Sequence, residues 1–153
     1  MKLLLAFLAL LAPAAASASA GVTLQSEVFV ERIATDAAGK QKTTLEPPKV
    51  VTPGDKLLFV ITYRNGAAAP ASGFVLTNPL PAAVAFAGTE ASGADLSVDG
   101  GKKWGALDAL RIANSDGTSR PAAAADVTHI RWRFGQAIPA GQGGKLSFRG
   151  TVR

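Results

Sequence analysis

Three arginines on two strand-like segments carry the residue types and spacing best suited to chemistry in this chain. Arg131 and Arg133 alternate with Ile130, Trp132 and Phe134 across residues 127–134, and Arg149 lies between Phe148 and Gly150 in the last segment, 145–152. Successive side chains of a strand point to opposite faces, so the apolar set faces inward and the arginines face out. If the two segments pair as a closing antiparallel hairpin, Arg131, Arg133 and Arg149 share one face. A guanidinium grips phosphate or carboxylate through two parallel hydrogen bonds, so such a face suits an anionic glycan, a lipid headgroup or an acidic partner protein. The same pattern also fits a solvated face whose charges keep the sheet from pairing with other chains.

Other candidates are weaker. His129 is the single histidine, set on the arginine side of its strand. Neighbouring cations disfavour the imidazolium that a general base must form. No G-x-S-x-G elbow accompanies it. Asp95 and Asp99 lie four apart on one side of a strand and its turn, a weak calcium candidate beside the simpler turn-forming role of Asp99-Gly100. Trp132 has inward parity and reads as a core tryptophan, whereas Trp104, after two lysines, reads as a loop residue with part of its ring exposed. The chain has no cysteine, which excludes disulfides, thiolate metal sites and a cysteine nucleophile. These residues predict a protein that is not an enzyme and needs no cofactor.

The elements that must position these residues are strands. The clearest, Lys56–Asn65, sets Leu57, Phe59, Ile61 and Tyr63 on one side, between Pro53-Gly54-Asp55 and Asn65-Gly66. Residues 22–33 alternate with Leu24, Val28 and Val30 on one face and Glu27 and Glu31 on the other. Residues 34–43 read as a loop, and Pro47-Pro48 deny a central strand. Short strands are predicted at Val50-Val51, 74–76, 84–86 and 96–98, the last closing in the turn Asp99-Gly100-Gly101-Lys102. Residues 113–126 read as a loop, with about one helical turn at the alanines 122–125. The count is about seven to nine short strands, the pattern of an all-β antiparallel sandwich.

Residues 1–20 predict a cleavable signal peptide. Lys2 precedes ten apolar residues, 3–12, and small residues lead to a cleavage site after Ala20. That apolar run is about half of the ~20 residues a membrane-spanning helix needs. The expected domain is residues 21–153, exported to the periplasm, the cell surface or the medium, with no membrane span after cleavage. An exported chain without disulfides favours a bacterial source. The chain has 16 Lys plus Arg against 11 Asp plus Glu, a formal net charge of +5. Its basic residues are scattered, and nucleic acid is not an expected partner.

The motifs Pro53-Gly54-Asp55, Asn65-Gly66, Pro70-Ala71 and Pro79-Leu80-Pro81 occur here in a fixed order. They are followed by Val98-Asp99-Gly100-Gly101 and by Ile138-Pro139-Ala140-Gly141 ahead of Phe148. Over residues 45–152 this order resembles the bacterial conserved-repeat domain known as domain of unknown function eleven. The resemblance implies an immunoglobulin-like sandwich of envelope or surface proteins and brings no catalytic residues. Members often occur as tandem arrays, whereas this chain carries one copy. The function expected from these readings is a non-enzymatic structural or interaction module of the bacterial cell envelope, its partner an envelope protein or an anionic envelope polymer. An accessory protein of a secretion or assembly system that pairs through a sheet edge is the alternative, and a hydrolase fits least.

Overall fold

Alternating β-branched and aromatic residues favour extended chain, and in the computed structural model, which describes residues 21–153, every long alternating run is a strand. The strands are β1 (Val22–Thr35), β2 (Gln41–Glu46), β3 (Lys56–Asn65), β4 (Val75–Pro79), β5 (Val84–Thr89), β6 (Ala94–Ser97), β7 (Arg111–Ala113), β8 (Ser119–Pro121), β9 (His129–Arg133) and β10 (Gly143–Val152). Two single 3-10 turns, Leu107–Ala109 and Ala124–Asp126, lie in the connections. The segment read as a signal peptide, 1–20, lies outside the described residues.

All pairings are antiparallel. One sheet has the order β2-β1-β3-β10-β5, a second the order β4-β9-β6, and β7 with β8 forms a small ribbon. Register fixes the faces: Val28 lies opposite Phe59, Val30 opposite Leu57, and Phe148 opposite Phe59. The Phe59 and Phe148 rings stack with centroids 4.5 Å apart. From the second sheet, Leu76, Leu96, Ile130 and Trp132 pack into the same core as Ile61 and Phe148, giving a sandwich-like arrangement. Trp132 reaches across to Phe148 at 6.2 Å between centroids, as its inward parity predicts. Burying a side chain of that size, ~200 Å², contributes about 5 kcal/mol before conformational entropy is counted. Gly150 is required where β10 crosses β5, because a Cβ there would lie 2.3 Å from Val84 Cγ1.

Several expectations need correction. The described residues hold ten strands. Half of residues 34–43 are strand, and the turn between β1 and β2 is confined to residues 36–40. There the Asp36 carboxylate accepts from the N–H groups of Ala38 and Lys40. β2 is an edge strand with both faces mostly in solvent, so it lacks the apolar alternation that reveals inner strands. Val50-Val51 is not a strand, and β7 and β8 occupy part of the segment read as a loop. Asn65-Gly66 ends β3 as its place in the sequence implies, without a positive φ at either residue. Asn65 is fully buried: its amide donates to the carbonyls of Ala69 and Ile138 at 2.9 and 2.8 Å and accepts from the Ala67 N–H at 3.0 Å.

The largest correction concerns the end of the chain. β9 and β10 do not pair. β9 lies between β4 and β6, and β10 lies between β3 and β5, so both edges of each are already occupied. The connection crosses from one sheet to the other, which lets Trp132 and Phe148 meet across the core.

Candidate functional site

On β9 the outward residues stand opposite β6, and Asp95 lies directly across from Arg131. Arg131 donates to Asp95 Oδ2 at 2.9 Å, and Arg133 approaches the same oxygen at 3.3 Å. The Trp104 ring covers the Arg131 guanidinium, with Cζ 4.1 Å from the ring centroid. The loop after β6 sets that ring in place. Asp99 accepts from the Ser97 hydroxyl and from the Lys102 and Lys103 N–H groups, and Gly101 accepts from the Trp104 indole at 2.8 Å. The Lys103 N–H is the leading cause holding the Asp99 carboxyl below its usual range. The Arg131 side chain keeps only 14% of its exposure, and its Nε is buried without a hydrogen-bond partner.

Arg149 belongs to a different surface. On the outward side of β10 it donates to Glu31 of β1 at 3.0 Å and to Glu90 at 2.6 Å. These bonds, Glu90 first, raise the guanidinium pKa above its ordinary value. The shared face of Arg131, Arg133 and Arg149 expected from the sequence therefore does not form. Arg131 and Arg133 line the outer surface of the three-stranded sheet, and Arg149 lines that of the five-stranded sheet, with the core between.

The remaining candidates resolve into structural roles. His129 meets the Trp104 ring edge-on at 6.3 Å, and its Nδ1 lies 3.0 Å from the Thr128 hydroxyl. The same hydroxyl lies 3.2 Å from the Ser97 carbonyl and accepts from the Gly100 N–H at 3.1 Å. Asp95 faces two guanidiniums and Asp99 organises a turn. Among the described residues, no group of three His, Asp or Glu is placed to hold a metal ion. A shallow cleft of about 240 Å³ opens at one end, lined by Tyr63, Phe134, Gln136 and Gln142.

Sequence reading missed two well-formed ion pairs. Arg32 clasps Asp55 through both nitrogens at 2.5 and 3.3 Å, anchoring β1 to the Pro53-Gly54-Asp55 turn. Arg120 does the same to Asp126 at 2.7 and 2.8 Å, pulling that carboxyl down to about 2. Their partners are 23 and 6 residues apart, and only the turn chemistry of Asp55 was visible beforehand.

Comparison of the chain with models of known protein families, with curated proteins and with solved structures finds no match in any of the three.

What the β9 surface can do chemically follows from its charge count. One carboxylate, Asp95, is shared by two guanidiniums, so one positive charge is left uncompensated. Arg133 is 63% exposed and carries it outward. The loop that supplies Trp104 also presents Lys102 and Lys103 to solvent. An anion can therefore engage Arg133 without displacing Asp95 from Arg131.

Proposed function

We propose that this chain is an exported, non-enzymatic interaction module of the bacterial cell envelope: a signal peptide over 1–20 and an immunoglobulin-like sandwich over 21–153, as in the conserved-repeat domain it resembles. Its partner is an anionic envelope polymer or an acidic envelope protein, held at the β9 surface. The observation that carries this reading is the uncompensated, exposed guanidinium of Arg133 beside the fixed Asp95–Arg131–Trp104 stack. The stack presents the charge on a rigid strand and holds it against collapse onto Asp95 alone, which favours recognition over plain solubility. Arg149 plays no part in that surface, since Glu31 and Glu90 already compensate it.

The test is retention of the protein, expressed as the full chain, on washed envelope fractions at low and moderate salt. Retention that falls with salt and is lost in Arg133→Ala, but not in Arg149→Ala, supports the reading, because exposed charge contacts are screened. Retention indifferent to both changes, or no retention on any fraction, overturns it.

A further inference from the structure

The β1–β2 hairpin outruns the sheet that supports it. β3 accompanies β1 only as far as Glu31, which lies opposite Lys56, so from Arg32 onward β1 has β2 as its one strand neighbour. β2 in turn is the last strand of its sheet. Two large apolar residues sit exposed on this ribbon, Ile33 at 64% and Leu45 at 49%. Glu31 lies opposite Leu45 and Ile33 opposite Thr43, so both apolar groups point to the outer face.

The unused backbone groups of β2 can be named. At the turn the Asp36 N–H donates to the Lys40 carbonyl, which makes that pair a hydrogen-bonded one. Bonded and non-bonded pairs alternate along an antiparallel ladder. The pairs Ala34 with Lys42, Arg32 with Thr44 and Val30 with Glu46 therefore bond inward to β1, and the N–H and C=O groups of Thr43 and Leu45 face the open edge. Both edges of the three-stranded sheet are more guarded. β6 is bridged through Leu96 to Gly105, and β4 ends at Pro79.

We propose that the open edge of β2 pairs antiparallel with β2 of a second copy of this chain, about a two-fold axis at Thr44. In this register Thr43 and Leu45 of one copy exchange main-chain hydrogen bonds with Leu45 and Thr43 of the other. Lys42 falls opposite Glu46 twice, in the non-bonded pairs where side chains stand closest. The two Leu45 side chains lie diagonally across the seam on the outer face, with each Ile33 one strand further back behind Thr43. Charge complementarity singles out a second copy as the occupant: the lysine and glutamate that discourage indiscriminate edge pairing match one another only when the same sequence runs backwards. Pro47-Pro48 end the pairing, and the Pro47 carbonyl is already taken by the Lys49 N–H. So short an interface falls below the ~1,200 Å² of stable complexes, which makes the dimer weak and dependent on concentration.

Sedimentation equilibrium of the full chain, over a range of concentrations in the micromolar region and at low salt, tests this. The expected result is a monomer–dimer equilibrium. Thr43→Pro removes an N–H that β1 does not use, and is expected to give a monomer with an unchanged far-ultraviolet spectrum. Lys42→Glu sets like charges opposite each other twice and is expected to weaken dimerisation at least about tenfold. The exchange Lys42→Glu with Glu46→Lys restores it. A chain that stays monomeric at every concentration overturns the proposal, as does a dimer that survives Thr43→Pro. Failure of the double exchange to restore pairing overturns the register. None of these outcomes depends on Arg133, so this proposal and the envelope-binding reading fail separately.

Discussion

The outer surfaces of the two sheets each carry an arginine held by acids, and they hold it differently. On the three-stranded sheet Arg131 sits between a facing indole and a directly opposed aspartate, with 14% of its side chain exposed. On the five-stranded sheet Arg149 is 37% exposed and reaches to two glutamates, one from β1 and one beyond the end of β5. In the first the arginine itself is desolvated and fixed by register; in the second the arginine stays more open, Glu31 is 11% exposed and Glu90 stands in solvent at 74%. Removing a partner from a desolvated charge strands it, whereas an exposed pair exchanges for solvent at little cost. The same residue type thus makes one desolvated pair on one surface and, on the other, divides itself between a nearly buried acid and one that solvent can replace.

Two changes sharpen or break this contrast. The largest effect is expected for Asp95→Ala, which leaves Arg131 under Trp104 without its acid and costs about 2 kcal/mol. The loss, read from urea denaturation midpoints, should change little with salt. Glu90→Ala, which removes an acid that is 74% exposed, is expected to cost less than about 1 kcal/mol, and that cost should shrink further in high salt. Equal losses for the two, or a reversed salt dependence, would break the contrast.

The smallest effect belongs to neither surface. The carboxyls held below their usual range lie in the turns and connections, where Arg32 pulls Asp55 down, Lys103 Asp99, Thr118 Asp116 and Arg120 Asp126. A carboxyl with a lowered folded pKa contributes stability above its unfolded value, which is 3.8 for Asp126, and loses it as pH falls through about 2. Melting temperature should therefore be flat near neutrality and decline from about pH 4 downward. Asp126→Asn should lower the plateau slightly and flatten part of that decline. A variant with the full wild-type slope would show that the Arg120–Asp126 clasp does not contribute.

Legibility in the sequence followed burial. β1, β3, β9 and β10 could be read because each sets one face against the core, and burial enforces period-two alternation. β2 could not, since Gln41, Lys42 and Thr43 are exposed and nothing in their surroundings demands a pattern. Outward parity was correct for Arg131, Arg133 and Arg149 taken one at a time. The error lay in joining them, because parity says which way a side chain points relative to its own sheet and not which sheet that is. Asn65-Gly66 does turn the chain, since the Asn65 side chain accepts from the Ala67 N–H, but its long-range partner, the Ile138 carbonyl, lies 73 residues away and no local pattern shows it.

The sequence alone determined that residues 21–153 are all-β, which residues of their long strands face inward, and that no cysteine chemistry is available. These follow from local sterics, alternation and composition, each written in a few adjacent residues. Tertiary structure alone decided that β9 and β10 lie in different sheets, that Asp95 neutralises Arg131 while Glu31 and Glu90 neutralise Arg149, and that β2 is left with an open edge. Each depends on which strands compete for the same edge. That competition is settled by packing Trp132 against Phe148 across the whole core, which no local stretch of sequence encodes.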